Sequence, residues 1–499
     1  MTTPVEPLSV LMTSEGTYPY ALGGVSTWCD ALLRGTPSVR YTLLPLMMNP
    51  HVTVRFDLPS NVDRVVNVPL WGVEEPAEFI KEIPFSRLYL QKRVTTPRVV
   101  EERFCPLFAR FLRSVNRRET DCADLGAALA DMWDYFQAYD YNRTLKSEGV
   151  WELFREEMER VSEAMAAESP LAGQELPTLF DMTESLRWLY RFLITLNAPV
   201  PATRVTHTTA AAFCAIPCIV AKVRHGRPMI VTEHGVYMRE QNLFLSRFRR
   251  LIFSKRFLLN LITAISRTAY FFADVVTPVC RYNTRWERAH GTPEGKIRVI
   301  YNGVDPVRFR PAPRPPGPPR VVATARIDPL KDIETFLRMA ALVNETHPDV
   351  RFAIYGSTPD AAYYERCRLL RTDLGLDGVV EMGRHLDDVV SAYHEADVVA
   401  LTSISEAFPY SVIEAMSCGR PVVASDVGGV REAVEGCGVV VKPRDPMAFA
   451  DGLRVLLDDA TLRLQLGEAA RESVLSRFTL EKSISAYHEL YQELGESRP

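Results

Sequence analysis

The stretch SEAFPYSVIEAMSCGRPVVASDVGGVREAV, residues 405–434, sets two carboxylates, Glu406 and Glu414, eight positions apart. The run VVALTS just before it is short, apolar and β-branched, so it reads as a buried strand. Pro409 suits the first position of a helix and Gly419 suits its stop. Glu406 then falls in the loop at the strand's C-terminal end, and Glu414 lies more than a turn into the helix. Ligands of open α/β sheets bind at that edge. Backbone N–H groups near residues 408–411 would form an anion site at the helix start. A second strand, PVVAS, ends at Asp426 and the pair Gly428-Gly429, which repeats the arrangement. Two carboxylates beside an anion site need partners of their own, and sugar and ribose hydroxyls are suitable donors to them. Standing alone, the pair would read as an acidic loop and a helix-face Glu.

The same rhythm extends on both sides. RVVATA, RFAIYG, VVEMG, VVALTS, PVVAS and GVVVK alternate with helical segments such as KDIETFLRMAALVNE, which predicts a doubly wound domain over residues 320–475. Arg326 and Lys331, in ARIDPLKDIETF, flank the turn after its first strand, where two cations suit a diphosphate. Upstream, PAPRPPGPP (residues 311–319) has six prolines in nine residues and reads as a linker. Residues 1–310 show a second α/β rhythm, in LSVLMT, VTHTTAA, PMIVTEHG, DVVTPV and IRVIYNGVD. Between about residues 74 and 196 it gives way to helical spacing, read as an insertion. Gly23 and Gly24 precede a helix starting near Val25. The tail, LEKSISAYHELYQELGES, reads as one amphipathic helix within residues 476–499 that crosses back to the first domain.

Composition excludes several classes. At 499 residues the chain exceeds one ordinary core; 47% hydrophobic and 24% charged residues are those of a globular protein. A net charge of −4 gives no reason to invoke nucleic acid, although Arg247, Arg249, Arg250, Lys255 and Arg256 form a local basic patch. Nine cysteines without paired spacing fit a reducing compartment. Cys214 and Cys218 read as packing residues, since no matching His or Cys pair follows. No basic-then-apolar leader opens the chain, and FLLNLITAISRTAYFFADVV is broken by Arg267 and Asp274. A cytoplasmic protein is expected, with a peripheral position at the inner face of the cell membrane left open.

With SEAFPYSVIEAMSCGRPVVASDVGGVRE, VIYNGVDPVRFRP and ARIDPLKDIETFLRMAALV in view, the chain resembles the retaining GT-B glycosyltransferases of family four (glycosyl transferases group 1). TSEGTYPYALGGVSTWCDALL, VTEHGVYMRE and the helical insert resemble, more narrowly, the Pel exopolysaccharide glycosyltransferase (PelF-like) subfamily. The fold this implies is α/β, GT-B, with two Rossmann-like doubly wound domains facing a cleft. The first domain would be the acceptor side and the second would bind the nucleotide sugar.

The resemblance implies roles. Arg326 and Lys331 would hold the donor diphosphate and stabilise the leaving phosphate. Glu414 would bind ribose hydroxyls, and Glu406 would contact the donor sugar, with Ala407, Phe408, Pro409 and Tyr410 shaping the loop. Gly23 and Gly24 would meet the phosphates. His234 would stand at the sugar and acceptor side as a catalytic residue. Gly383, Arg384, His385 and Leu386 would lie against the nucleobase. His207 is a second cleft candidate, and Asp305 in NGVD reads as a turn-closing residue. Ala325, Asp332 and the run 357–359 replace residues that are often Gly in the family, which leaves the shape of the phosphate loop open.

The implied reaction is transfer from a nucleotide diphosphate sugar, with UDP-glucose or a related UDP-hexose favoured. The acceptor would be a glycan or lipid-linked saccharide of exopolysaccharide or envelope synthesis. A membrane-bound synthesis partner is a further candidate. No cofactor is expected. No Asp-x-Asp pair lies in a suitable loop, so no metal is expected either, and Arg326, Lys331 and the helix start would replace it. The alternative is a catalytically silent nucleotide-sugar-binding scaffold; a phosphorylase or epimerase is a weaker enzyme reading.

Overall fold

The computed structural model describes residues 7–73, 80–117, 119–168, 177–246, 252–384, 386 and 388–496. The chain divides into two compact units: Met1–Thr277 with Trp286–Arg298 and His488–Pro499, and Pro278–Arg285 with Val299–Tyr487.

The first unit is built on strands β1 (Ser9–Glu15), β2 (Arg40–Met47), β3 (Val62–Val65), β4 (Val68–Pro69), β5 (Val205–Thr208), β6 (Met229–Glu233) and β7 (Val275–Pro278). They pair in the order β3-β2-β1-β5-β6-β7, with β4 also on β2, and the pairs β1–β2, β1–β5, β2–β3, β2–β4 and β5–β6 are parallel. Strands buried on both faces read as near-continuous apolar runs, and SVLMTSE, buried at its five central residues, follows that rule. Strands β2 to β4 carry less regular apolar patterns and escape the sequence reading.

Between β4 and β5 the chain makes a helical layer instead of a short crossover. Its helices include Phe85–Val94, Cys105–Asn116, Cys122–Ala138, Glu148–Glu168 and Leu179–Phe192. Phe104, Phe108, Phe111, Leu129, Phe136 and Phe154 are buried together there, and the buried face of Ile252–Phe272 shares their core. Local sequence starts these helices. The Asp121 carboxylate accepts from the Asp124 N–H, and Thr178 forms a capping box with Asp181. The basic cluster is divided: Arg247, Arg249 and Arg250 lie outside the described residues, whereas Lys255 and Arg256 lie on Ile252–Phe272.

The second unit contains β8 (Arg320–Thr324), β9 (Arg351–Tyr355), β10 (Val380–Arg384), β11 (Val398–Leu401), β12 (Val422–Ser425) and β13 (Val439–Val441). Their order, β10-β9-β8-β11-β12-β13, is that of the doubly wound nucleotide-binding sheet. The order reverses between β8 and β11, and a crevice opens outside strand ends at such a point.

Two sequence expectations change. Residues 311–319 form no free linker but run along the second unit, where Arg420 donates to the Ala312 carbonyl at 2.9 Å and Arg314 pairs with Asp397 at 3.2 Å. IRVIYNGVD makes only isolated bridges, Val276–Ile297 and Val304–Thr479, because its apolar residues find no continuous ladder. Glu432 holds residues 281–282 to the second unit: its carboxylate accepts from the N–H groups of Arg281 (3.0 Å) and Tyr282 (2.9 Å) and from the Tyr301 hydroxyl (3.1 Å). The tail forms the helix Leu480–Glu496, whose residues from His488 onward belong to the first unit.

Candidate functional site

In the second unit, the turns leaving β8 and β11 are tied together at the point where the strand order reverses. Ile404 N–H donates to the Leu330 carbonyl at 2.9 Å, and the Thr402 hydroxyl donates to the Lys331 carbonyl at 3.0 Å. Those bonds bring Lys331 and Glu406, 75 residues apart, into an ion pair of 2.5 Å. The Ser403 hydroxyl donates to the same carboxylate oxygen at 2.6 Å. The side chains keep only 20% and 10% exposure, so water screens the pair weakly. The ammonium has three donors, and Glu406 uses one of them. Arg326 sits on the same turn, is 60% exposed, and pairs with Asp328 at 3.1 Å.

The backbone around this pair is held by exceptional conformations. Asp332 caps the helix Ile333–Asn344 from a left-handed φ of 49°, where glycine is usual. Asp tolerates it because its short side chain bonds locally, here to the Thr335 hydroxyl at 2.7 Å. Gly428, at φ 57°, lies so near that a Cβ on it would stand 2.0 Å from the Glu406 carbonyl oxygen. Its neighbour Gly429 donates to the Ala407 carbonyl at 2.6 Å. Residues 406–408 are thereby clamped from the loop that follows β12.

Pro409 is the N-cap of the helix Tyr410–Ser417, one position earlier than expected, and Gly419 takes the left-handed φ of 70° just after its end. Glu414 faces back toward β8. Its carboxylate accepts from the Tyr393 hydroxyl at 2.6 Å, which also bonds Thr324 at 2.7 Å. Burial raises the Glu414 pKa above the ordinary carboxylate range, although the residue keeps part of its surface. Phe408 is core rather than lining, packed 5.1 Å from Phe478 and 5.2 Å from Tyr301. Gly383, at φ 85°, and Arg384 end β10, two strands from β8 in the same sheet, and Leu386 is half-buried; His385 lies outside the described residues. Asp305 accepts from the Val307 N–H at 2.9 Å and so closes its turn.

In the first unit, Gly23 caps and Gly24 opens the helix Gly24–Gly35, and both are exposed. His234 follows β6. Its ring meets Trp28 edge-on at 4.5 Å, and burial pushes its pKa down to about 3, so the imidazole is neutral. His207 does not stand free: its two ring nitrogens bond Tyr491 and Thr232, each at 2.6 Å, and it is fully buried. It braces the sheet, because a strand-interior position gives its ring no route to solvent. Cys214 and Cys218 are buried beside Thr208 and Thr13.

Sequence reasoning missed a group of acids here. Glu15, at the end of β1, accepts from the Cys214 N–H at 2.9 Å, and burial pushes it up to about 7. Glu233 and Glu287 are fully buried without a well-formed hydrogen bond, although the Tyr270 hydroxyl approaches Glu233. Burial pushes Glu287 up to about 8. The available signal was a lone acid ending an apolar strand, as in MIVTE. Among the described residues, no group of three or more His, Cys, Asp or Glu side chains could hold a metal, and no helix is long and apolar enough to cross a membrane.

Residues 8–295 match the family described as Domain of unknown function (DUF3492), and residues 306–473 match Glycosyl transferases group 1. D-inositol 3-phosphate glycosyltransferase of Corynebacterium jeikeium is 34% identical over 229 residues, covering 41% of this chain and 54% of that protein. The enzyme of the same name from Corynebacterium urealyticum is 33% identical over 229 residues, 42% of this chain and 54% of that one. The chain thus spans about half the length of the curated relatives it matches. Sucrose-phosphate synthase from Thermosynechococcus elongatus superposes with a TM-score of 0.63 at 18% identity, covering 98% of this chain and 100% of that one. Anabaena HepE, solved with UDP and glucose, gives 0.60 at 14% identity over 97% and 99%. At such identities the likeness concerns the fold: two Rossmann-like domains of the GT-B kind.

Proposed function

We infer function from one premise: the chain belongs to the family described as Domain of unknown function (DUF3492), and its residues 306–473 are a glycosyl transferases group 1 domain. On that premise it is a glycosyltransferase that moves a sugar from a nucleotide diphosphate sugar to a glycan or lipid-linked acceptor. The observation that carries this is the Lys331–Glu406 pair at the strand-order reversal of the second unit, with Glu414 one helix away.

In this reading Lys331 turns its remaining N–H donors to the donor diphosphate, and Arg326, exposed on the same turn, adds a second cation. They stabilise the leaving phosphate as its charge grows, where a preorganised donor is worth most. Backbone N–H groups at the start of Tyr410–Ser417 assist. Glu406, oriented by Lys331 and Ser403, accepts from sugar hydroxyls, and Glu414, oriented by Tyr393, accepts from the ribose. Gly383, Arg384 and Leu386 border the base. His234, neutral and edge-packed on Trp28, serves the acceptor side. Transfer goes with retention, the leaving phosphate helping to deprotonate the acceptor hydroxyl, so that no carboxylate acts as nucleophile.

UDP-glucose or a related UDP-hexose is the donor we favour, in exopolysaccharide or envelope glycan synthesis of the Pel type. Support for it is the likeness of the N-terminal motifs and insert, together with the fold shared with a UDP-bound neighbour. We take the protein to work in the cytoplasm, peripheral to the inner face of the membrane, where a lipid-linked acceptor is accessible. The test is a thermal-shift panel of nucleotide sugars followed by a nucleotide-release assay on any stabiliser. Stabilisation with turnover supports an enzyme. Binding without turnover, with or without candidate acceptors, overturns it.

A further inference from the structure

The first unit has a strand-order reversal of its own. Its sheet runs β3-β2-β1-β5-β6-β7, so the order turns between the parallel strands β1 and β5. A doubly wound sheet binds its ligand outside the strand ends at that point. Glu15 is the last residue of β1 and stands there. His234 follows β6 at the same edge of the sheet, one strand beyond β5.

A helix start at such a crevice ordinarily takes a phosphate, because its first N–H groups are unpaired. Here the protein fills that place itself. The chain leaving β5 turns through Phe213–Ala215 into the helix Ile216–His225, and the Glu15 carboxylate accepts from the Cys214 N–H at 2.9 Å. The Phe213 N–H and the Cys214 thiol also act on Glu15, and among the described residues no Lys, Arg or His does. A phosphate brought here would meet a carboxylate with no cation to offset it.

Glu15 nevertheless keeps part of its surface, and a carboxylate offers about four acceptor positions, more than these neighbours use. Tyr237, half-buried as well, adds an aromatic wall 6.5 Å from the Phe213 ring, and burial, then the Glu15 charge, keep its hydroxyl protonated. A glutamine would cap the same N–H without the cost of crowding a charge with protein. What only a carboxylate adds is a strong acceptor for a hydroxyl, and an acid beside an aromatic wall suits a polyol.

We propose that Glu15 closes the phosphate position of this crevice and, with its remaining acceptor capacity, holds a hydroxyl of a neutral saccharide acceptor, so that acceptors phosphorylated at that place are refused. This rests on the glycosyltransferase reading above and names its acceptor class.

The test is nucleotide release by the full chain from the nucleotide sugar that most raises its melting temperature, alone and with cellobiose, maltose, chitobiose or glucose 6-phosphate added. At least one neutral disaccharide should raise release, and glucose 6-phosphate should not. Glu15→Gln keeps an oxygen for the Cys214 N–H, so the melting temperature and donor KM should hold while the KM of the stimulating disaccharide rises about tenfold or more. The ionised form is the acceptor, so the wild-type disaccharide KM should fall as pH rises through about 7. Burial keeps Cys214 and Tyr237 neutral over that range, and Glu15→Gln should lose the dependence.

An unchanged disaccharide KM in Glu15→Gln would overturn the assignment. So would a fall in melting temperature with a matching rise in donor KM, since Glu15 would then only brace the crevice. Stimulation by glucose 6-phosphate above the disaccharides, or by no disaccharide, would overturn the acceptor class while leaving the transferase reading intact. No nucleotide release under any condition would overturn that reading and this assignment with it.

Discussion

Replacing Lys331 by alanine tests whether its ammonium serves the donor or only Glu406. In the structure the carboxylate of Glu406 is 10% exposed and has two side-chain partners, Lys331 at 2.5 Å and Ser403 at 2.6 Å. Without Lys331 a largely enclosed charge keeps one neutral hydroxyl. Removing one partner of a fully enclosed pair costs about 3–5 kcal/mol; with some water contact retained here, we expect about 2–3 kcal/mol in chemical denaturation. If Lys331 also holds the departing phosphate, turnover should fall on the order of a hundredfold or more at saturating donor. The two effects separate in the double variant Lys331→Ala/Glu406→Gln. Neutralising the carboxylate should restore most of the lost stability, giving a coupling energy of about 1–3 kcal/mol. Turnover, measured as nucleotide release, should stay low. Near-normal turnover in Lys331→Ala would refute the argument. So would a double variant that regains turnover together with stability, since the pair would then be structural only.

Glu414→Gln should raise the donor KM and weaken stabilisation by nucleotide while changing kcat little; an unchanged KM would remove Glu414 from the ribose. Gly428→Ala should cost about 2 kcal/mol or more and lower turnover, because its Cβ would meet the Glu406 carbonyl oxygen at 2.0 Å from a left-handed φ; wild-type stability would show that the clamp yields freely. Thermal melting against pH should decline on both sides of an optimum. His207 and His234, lowered from 6.5 to about 3, withdraw stability as pH falls below 6.5, whereas Glu15 and Glu287, raised from 4.5 to about 7 and 8, and Glu233 and Glu414, also raised by burial, withdraw it as pH rises above 4.5; a melting temperature still climbing through pH 8 would contradict these burials. EDTA should leave nucleotide release unchanged, and loss rescued by Mg²⁺ or Mn²⁺ would overturn charge stabilisation by Lys331 and Arg326 alone.

The second unit was largely legible in the sequence because parallel strands buried on both faces must be continuous apolar runs. Five of its six strands stand where such runs lie, and the edge strand β10, VEMGR, is part polar and exposed. Strand ends then located Lys331 and Glu406, since loops at that edge can hold charge without entering the core, and Glu414 followed from the helix that starts there. The first unit was harder. Strands β2 to β4 were missed because arginine, aspartate and proline interrupt their apolar runs, and IRVIYNGVD looked like a strand although no neighbour offers it a ladder. The proline run was read as a break because proline excludes regular structure; side chains such as Arg420 and Arg314 nevertheless hold it along one unit.

By itself, then, the chain determined its α/β rhythm, the helical insert and the edge on which charge gathers, for these follow from local periodicity and from what a buried strand excludes. Tertiary structure decided which charges meet. The Lys331–Glu406 contact spans 75 residues, His207 is spent on Thr232 and Tyr491, and Glu233 and Glu287 are enclosed without well-formed hydrogen bonds. Such pairings and burials depend on strand order and on which side of a helix faces inward. Hydrophobic periodicity specifies a face but not what will cover it.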